Sequence, residues 1–422
     1  MANRAVKYQL FPTEEQTQLI RKTVGCARFV YNNLLDDYSN QLQQGITKPK
    51  IKLVTFLKQN NTFLNEVDSL ALMNGRAHLE TALKNFFDSK SGKRKGRKVG
   101  FPTKKKKRKA KLSYTTNNQH GTVRIEGNTI KLPKVGFVKF KCHRVFDGEI
   151  KSVTITQTRD GVYYASVLFE IEEQTKTKPI KPYNELKVVG IDMSMKEFAV
   201  DSEGENASPT KPKFERNYRK NEKKIARLEK EVSRKEKGSK NRDKARARLA
   251  KFSRHIANKR LDFTHKLSRY YVNNYDVIVV EDIDMQTMSR TLKLGKSVCD
   301  LGFGKFREQL AYKCMETDSV LIVADRWFAS SKTCHECGTK NPDLKLSDRV
   351  WVCPVCGCIL DRDYNAALNL RDYFMEVMPE EQYTKNTVGT AGIHASGEKT
   401  PTLREIFSQV GSLNEEKKPL NL

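Results

Sequence analysis

The first 90 residues change from an alternating to a helical pattern of apolar positions. The stretch "AVKYQLF" alternates and predicts a short strand, after which Thr13 is placed to cap a helix. Helical signals continue to about Phe87. The apolar positions of the first helix recur at helical spacing: Leu19, Ile20, Val24, Ala27, Val30 and Leu34.

From about Leu112 to Glu172 the apolar period falls to two, with turn signals at Gly127-Asn128 and at Arg159-Asp160-Gly161. This pattern predicts a mainly antiparallel sheet or a small barrel. The Pro- and Lys-containing segment "EEQTKTKPIKPYNE" follows and is typical of a linker at a domain boundary.

The second half begins with "LKVVGIDMSMKEFAVDSEG", which predicts a strand ending at Asp192 and a second strand paired with it as a hairpin. A long polar helical section from Arg216 to Arg269 has only a narrow apolar seam, and "EKGSKNR" inside it predicts the turn of a helical hairpin. The strand "YDVIVVEDI" comes next, then a helix around "GFGKFREQLAYKCME" and the strand "SVLIVA". From about Pro379 apolar residues are sparse, so we expect a loosely ordered tail.

Composition narrows the class of partner. The 422 residues, sufficient for about two to four domains, carry 78 Lys and Arg against 50 Asp and Glu, a net charge of +28. Such a field favours a polyanion, and nucleic acid leads that class. No apolar run is long enough to span a membrane and "MANRAVKYQLFPTEEQ" lacks the apolar core of a signal peptide, so we expect no membrane partner and a soluble, intracellular protein.

The positive charge is concentrated in two segments. Between Lys90 and Lys111 there are 13 Lys or Arg and no acid, and the helical section from Arg216 to Arg269 has 21 against 6 acids. Either segment is also compatible with an ordinary solvated charge run, but the excess favours phosphate contacts. The candidate nucleic-acid-binding residues are Lys104, Lys105, Lys106, Lys107, Arg108, Arg242, Arg246, Arg254, Lys259 and Arg260.

Four of the nine cysteines form two pairs with metal-ligand spacing. Cys334 and Cys337, then Cys353 and Cys356 after 15 intervening residues, are C-x-x-C pairs each followed by Gly. Two such turns supply the four thiolates of a closed, structural zinc site. Two unrelated redox pairs are the alternative interpretation. Cys358 lies outside this spacing, and we expect it not to bind the metal.

Three acids follow apolar strands or precede a helix. Asp192 and Glu281 end predicted strands and Asp363 opens the helix-like "NAALNL", positions where an α/β sheet gathers site residues. Converging there, they would hold two divalent cations about 3.5 to 4 Å apart, suited to attack of water on a phosphodiester. Taken singly, Glu281 is also explained as a strand-end charge and Asp363 as a helix N-cap. Nearby acids that resemble members of the set are Asp282, Asp284 and Asp361.

The order of "VVGIDMSMKEFAV", "VIVVEDIDM", "SSKTCHECG", "CPVCG" and "DRDYNAALNL" resembles the TnpB (OrfB) proteins of insertion sequences, relatives of compact type V CRISPR effector nucleases. The resemblance implies an RNase H-like (RuvC-type) nuclease domain with a zinc ribbon inserted before its last acid. It makes Asp192, Glu281 and Asp363 the catalytic acids, with Asp363 preferred to Asp361 because the family's third acid stands in an acid-x-Asn pattern. It also implies a guide RNA from the transposon end, a short duplex motif beside the target, and a cytoplasmic, nucleoid-associated prokaryotic protein.

The expected fold class is therefore α/β and multidomain, the nuclease domain being accompanied by an N-terminal β-barrel with an inserted helical recognition domain. We place the barrel at residues 1–12 and 100–180, the helical domain at 13–99, the nuclease domain at 186–330 and 359–378, the zinc ribbon at 331–358 and the tail at 379–422.

The expected function is RNA-guided cleavage of double-stranded DNA with two Mg²⁺, one structural Zn²⁺ and a guide RNA. A CRISPR-associated effector using a crRNA and a non-cleaving RNA-guided repressor remain alternatives. A transposase that joins DNA ends is disfavoured, because the sequence has no His-hydrophobe-His motif with a Tyr nucleophile.

Overall fold

The computed structural model describes residues 2–94, 96–107, 111–172, 178, 180–204, 208–282, 301–345, 347–384 and 403–408. The chain forms two compact units, one from Met1–Glu173 with Lys237–Ala250 and the other from Gln174–Glu236 with Lys251–Leu422. No described helix combines the length and the apolar character needed to cross a membrane.

The helices of the first unit begin as the sequence predicts. Thr13 and Gln16 form a capping box at the start of α1, since each side chain accepts the backbone N–H of the other residue. The apolar positions Ile20, Val24, Val30 and Leu34 are buried. The helices are α1 (Glu14–Gln43), α2 (Val54–Asn60) and α3 (Ser69–Lys90), with a 3-10 turn at Thr62–Glu66.

The alternating segments form one antiparallel sheet of seven strands. Its strands are β1 (Ala2–Phe11), β2 (Leu112–Asn117), β3 (Arg124–Glu126), β4 (Thr129–Leu132), β5 (Gly136–Lys141), β6 (Glu149–Gln157) and β7 (Tyr163–Ile171). The order β2-β6-β7-β1-β5-β4-β3 leaves β2 and β3 as edges. Within the described residues the expected barrel is therefore an open half-barrel. Closing it would require the edge strands β2 and β3 to pair, and β3, with three residues, is too short to pair along the six residues of β2.

The second unit is built on a mostly parallel sheet. Its order is β11-β10-β8-β9, with β10 parallel to both β8 and β11 and β9 antiparallel to β8. The elements along this part of the chain are β8 (Val188–Asp192), β9 (Val200–Asp201), α4 (Asn217–Ser233), α5 (Lys240–Asn274), β10 (Val277–Glu281), α6 (Phe303–Thr317) and β11 (Val320–Ala324). The beginning of α5, as far as Ala250, belongs to the first unit. The predicted hairpin after Asp192 and the helical hairpin around "EKGSKNR" are both present.

A small hairpin carries the cysteines, and a helix returns the chain to the sheet. The elements are β12 (Val350–Val352), β13 (Ile359–Asp361), α7 (Arg362–Val377) and α8 (Leu403–Ser408). Because β13 pairs with β12, this hairpin extends three residues past the boundary expected at 358.

The described part of the C-terminal stretch is packed, in contrast to the loosely ordered tail expected from Pro379. Tyr383, Leu403, Ile406 and Phe407 are buried in one cluster with Leu370 and other side chains of the sheet and of α7. The stretch is poor in apolar residues, but these few lie on one side of their segments and therefore suffice to dock them.

Gly190 sets how closely α7 approaches β8. A Cβ at Gly190 would lie 2.0 Å from the carbonyl oxygen of Ala367 and 2.3 Å from the backbone nitrogen of Arg371. Since both atoms belong to helix backbone, no side-chain rotation can relieve such a clash. The missing side chain thus lets α7 lie directly against the strand that ends at Asp192.

Gly190→Ala is expected to destabilise the second unit by about 3 kcal/mol or more, because α7 must move away from β8. The measurement is the free energy of unfolding in urea. Gly304→Ala is the matched control, since a Cβ there meets nothing within 4 Å, and it should be neutral or slightly stabilising. Equal stability of both variants would contradict the close approach.

Candidate active site

The strand ends bring two of the predicted acids to one edge of the second sheet. Ile191 on β8 is paired with Val280 on the parallel strand β10, so Asp192 and Glu281, the next residues, leave the sheet side by side. Asp363 lies in the first turn of α7, the helix that packs on β8. The three acids, far apart in sequence, therefore gather at the carboxyl ends of the parallel strands.

The three carboxyl groups interact strongly. Burial, followed by the charges of Glu281 and Asp363, raises the pKa of Asp192 well above its usual range. Burial and then the charge of Asp363 raise the pKa of Glu281, although a hydrogen bond from Ser330 partly opposes this. The acids are less tightly clustered than the cysteines, the only described group of three or more His, Cys, Asp or Glu residues whose ligand atoms all lie within 4.8 Å.

Neighbouring side chains hold two of the acids in place. The Ser194 hydroxyl donates to Asp363 Oδ2 at 2.9 Å, and the Ser330 hydroxyl donates to Glu281 Oε1. Arg349 Nη1 contacts both Asp363 oxygens at 3.0 and 3.2 Å, and Arg362 donates to Asp363 Oδ1 from Nη2 at 2.9 Å and from Nε at 3.1 Å. Two guanidinium groups thus offset part of the negative charge.

The neighbouring aspartates have other roles. Asp361 is exposed and caps α7 by accepting the Tyr364 N–H at 2.9 Å. The N-cap role that the sequence allowed for Asp363 is therefore filled by Asp361. Burial of Asp282 is outweighed by hydrogen bonds from Arg307 and Arg326, both 2.8 Å long, which lower the pKa of that carboxyl. Asp284 lies outside the described residues.

The four predicted zinc ligands converge in the cysteine hairpin. The Sγ atoms of Cys334, Cys337, Cys353 and Cys356 all lie within 4.8 Å of one another. The glycine after each pair has a φ of 72° or 74° and donates its N–H to the first cysteine of its pair, which closes the two tight turns. Hydrogen bonds with the side chain and the backbone of Thr339 lower the pKa of Cys337 to about 6. Four converging sulfurs are the donor set that zinc prefers.

A fifth sulfur is closer than its spacing suggested. Cys358 Sγ lies 3.1 Å from Cys356 Sγ and 3.4 Å from Cys334 Sγ. The backbone explains this approach, because the Cys353 N–H donates to the Cys358 carbonyl across the second turn and folds the chain back over the cluster.

Two asparagines of α7 fasten the entrance of the cysteine hairpin to the helix. Asn365 accepts the His335 N–H at 2.9 Å and donates to the Thr333 carbonyl at 2.8 Å. Asn369 donates to the carbonyls of Ser330 and Thr333, both at 2.7 Å. The segment that carries Ser330, a partner of Glu281, is therefore fixed on the helix that carries Asp363.

The predicted nucleic-acid-binding residues fall into two groups. In the first unit, Lys104 pairs with Asp36 at 2.7 Å, Lys105 lies with Nζ 3.8 Å from the Tyr31 ring centre, and Lys106 and Lys107 are exposed. Arg108 lies outside the described residues. The remaining candidates lie on α5: Arg246 and Lys259 are exposed, whereas Arg242, Arg254 and Arg260 are partly buried.

Sequence reasoning did not single out Ser194, Ser330, Arg349 or Arg362. The two serines carry no distinctive spacing, and their importance arises only from the fold. Arg349 lies between the two cysteine pairs, which gave no reason to associate it with Asp363. For Arg362, adjacency to Asp363 was the one available signal.

Comparison with known proteins identifies relatives along most of the chain. The family model of IS605 OrfB proteins, described as "Probable transposase", matches residues 166–292. A "Cas12f1-like, TNB domain" matches 303–370 and a "Helix-turn-helix domain" of OrfB proteins matches 1–47.

Whole-length relatives agree with these matches. A "Putative RNA-guided DNA endonuclease" of Streptomyces pristinaespiralis is 33% identical over 374 residues, 87% of this chain and 88% of the relative. A protein of Escherichia coli K12 with the same description, InsQ, is 29% identical and covers 87% of this chain and 91% of its own length. A Cas12f1 chain solved with sgRNA and target DNA shares the fold, with a TM-score of 0.50, 14% identity, and coverage of 85% of this chain and 83% of its own.

Replacing Asp192 with Asn is expected to raise the melting temperature in EDTA at neutral pH. The folded-state pKa of Asp192 is raised above that of the unfolded chain, so ionisation lowers stability as pH rises from about 3.9 through the folded pKa. The gain from Asn should be greatest above the folded pKa and disappear below about pH 4. Asp361→Asn, which keeps a good N-cap, should show no such dependence, and a gain that is independent of pH would contradict the assignment.

Proposed function

The chain belongs to the TnpB (OrfB) family of insertion-sequence proteins, and from that premise we propose that it is an endonuclease that cuts double-stranded DNA at sites selected by a guide RNA. The single observation that carries the proposal is the gathering of Asp192, Glu281 and Asp363 at one edge of the second sheet. Retention of all three acids favours cleavage over a non-cleaving repressor. The same arrangement would serve a CRISPR-associated effector, which differs in the origin of its RNA.

The fold of the second unit supports an RNase H-like (RuvC-type) nuclease domain. Its sheet order β9-β8-β10-β11 places the two acid-bearing strands side by side at the centre. The cysteine hairpin interrupts the chain between β11 and α7, as expected for a ribbon inserted before the last acid. We assign the seven-stranded sheet of the first unit to the proposed β-barrel domain and the helices of that unit to the proposed recognition domain.

The acid site fits a divalent cation. The raised pKa values of Asp192 and Glu281, to which the charge of Asp363 contributes, are a condition that a bound cation relieves, and oxygen ligands are those that Mg²⁺ prefers. Asp192, Glu281 and Asp363 would hold two such ions. When bound, magnesium supplies activation of water and neutralisation of the charge that develops on a cleaved phosphodiester.

The surrounding residues then have defined tasks. Ser330 holds Glu281 and Ser194 holds Asp363, so both carboxylates keep a fixed orientation. Arg349, half-exposed beside Asp363, offers a guanidinium to a phosphate of the bound strand, an ion pair of the kind arginine favours. Arg362 is more deeply buried and keeps the Asp363 carboxylate in place.

We further propose that the four cysteines hold one structural zinc ion. Four thiolates fill a tetrahedral site and leave no position for water, so the metal would stabilise the hairpin and take no part in hydrolysis. Through Asn365 and Asn369 the hairpin is attached to α7. Its integrity therefore bears on the position of Ser330 and Arg349 at the acids.

We assign recognition of the target sequence to base pairing with the guide RNA. The protein would contact the sugar-phosphate backbone and recognise the geometry of the RNA–DNA duplex. Among the described members of the predicted phosphate-binding set, the exposed ones are Lys104, Lys106, Lys107, Arg246 and Lys259. The affinity for nucleic acid should consequently decrease as salt increases.

Asp192→Ala is expected to reduce cleavage of matched DNA by the guide-RNA complex by more than about 100-fold. The loss should exceed the roughly 10- to 100-fold that is typical of mutating a residue that only hydrogen-bonds to a metal ligand. Binding of RNA and DNA should stay within about 3-fold of wild type, since the acids repel phosphate and contribute little affinity. Single-turnover cleavage and filter binding measure the two effects. Asp361→Ala is the control and should cut normally; wild-type cleavage by Asp192→Ala would refute the site.

Replacing Cys334 and Cys337 together with Ser is expected to remove one zinc equivalent per chain and to lower the melting temperature, because the metal's binding energy stabilises the hairpin. Elemental analysis of purified protein gives the zinc content. Cys142→Ser, outside the cluster, serves as control. Unchanged zinc content in the double variant would show that the metal, if present, is held elsewhere.

A further inference from the structure

The turn after β11 displays a tryptophan to solvent. Trp327 is 86% exposed, whereas Trp351 in the cysteine hairpin is 6% exposed. Full burial of a large apolar side chain contributes about 1.5–3 kcal/mol, so leaving an indole in water forgoes a substantial gain. Such exposure is expected where the ring has a binding partner.

The backbone around Trp327 is firmly held although its ring is exposed. Asp325 Oδ1 accepts the backbone N–H of Trp327 at 2.8 Å. Arg326 is paired with Asp282 at 2.8 Å, and the Phe328 ring packs on Tyr373 with centres 4.7 Å apart. Both neighbours are thus anchored in the nuclease unit, and the indole between them is presented from a fixed base rather than from a loose loop.

This turn lies beside the acid site. It follows Ala324, which is paired with Glu281 across β11 and β10. Ser330, whose hydroxyl contacts Glu281, is three residues beyond Trp327, and three residues span at most about 11 Å. The distance between the exposed Trp327 ring and the carboxylates therefore corresponds to one or two nucleotides of a bound strand.

We propose that Trp327 is a stacking platform for a nucleobase of the single DNA strand that enters the acid site. The proposal rests on the nuclease function proposed above and adds to it the residue that grips the strand. Every base has a π face, so stacking on an indole is tolerant of sequence, as cutting at guide-selected sites requires. The half-exposed guanidinium groups of Arg326 and Arg349 supply positive charge nearby for the phosphates.

The surroundings favour a base over a protein partner. The residues immediately before the indole are the charged Asp325 and Arg326, and Phe328 after it is turned onto Tyr373. Along the chain Trp327 is therefore a single exposed ring flanked by charged residues, whereas protein interfaces are marked by contiguous apolar patches. Aromatic rings combined with cations are the usual composition of single-strand binding surfaces.

The first test is single-turnover cleavage of matched DNA by the guide-RNA complex. Trp327→Ala should slow cutting by about 5- to 150-fold, the range for loss of one base–aromatic stack, whereas Trp327→Phe should retain most of the rate because it preserves a ring. Tyr312→Ala, which removes another exposed aromatic ring, on α6 of the same unit, should cut at the wild-type rate. Wild-type cutting by Trp327→Ala, or equal loss in the Ala and Phe variants, would overturn the proposal.

The second test uses the intrinsic fluorescence of the two tryptophans. An oligothymidylate of about 12 nucleotides, within the usual single-strand site size, should quench the emission of the cleavage-deficient Asp192→Ala complex. Trp327→Phe, whose remaining emission comes from buried Trp351, should show no quenching. Absence of quenching in the Trp327-containing complex would overturn the platform, and equal quenching by single-stranded RNA would overturn its assignment to the DNA strand.

The two proposals fail in different ways. If Asp192→Ala abolishes cutting while Trp327→Ala cuts normally and no quenching occurs, the nuclease function stands and the platform is refuted. If the wild-type complex cuts no DNA, the nuclease function is refuted, and oligothymidylate quenching still decides whether Trp327 stacks on bases.

Discussion

Mutual repulsion of three partly buried carboxyl groups is the constraint around which the second unit is arranged. Asp192 is partly buried, and its pKa is raised by that burial and by the charges of Glu281 and Asp363. The fold tolerates this cost because β8, β10 and α7 are fixed by their own packing, including the contact of α7 backbone with Gly190. Arg349, Arg362 and two serines offset part of it. An arrangement that is costly for stability is expected where chemistry requires it.

The cysteine hairpin is coupled to this site through hydrogen bonds and ion pairs. Asn365 and Asn369 fasten residues 333–335 to α7, and the same entrance carries Ser330 to Glu281. Arg349, just before β12, reaches Asp363 from the other side of the hairpin. A structural zinc would therefore do more than stabilise a small module, since the geometry of that module determines where a hydroxyl and a guanidinium meet the acids.

The sequence predicted elements well where one period dominated. The helix after Thr13, the strands ending at Asp192 and Glu281, and the cysteine turns all depend on local pattern and spacing, and the structure contains them. Closure of the first sheet depends on whether its distant edge strands pair, which no local sequence pattern indicates, and within the described residues the sheet is open. The burial of Phe407 could not be predicted, because the polar residues around it give the tail a low apolar content. Arg349 could not be associated with Asp363 because only the tertiary fold brings them together.

Positive and negative charge have separate tasks in this molecule. A net charge of +28 attracts a polyanion to any part of the surface, but attraction alone neither selects a strand nor positions one bond for cutting. Positioning needs contacts that act only at short range. The proposed acid site would supply ligands for cations, and the Trp327 ring and the guanidinium groups beside it would supply directional contacts to the strand. Trp327 belongs to this second class: it adds no charge, so its contribution should persist at salt concentrations where long-range attraction is screened. A strand held by stacking next to the acids would stay in register for the reaction while the rest of the nucleic acid remains bound through its phosphates.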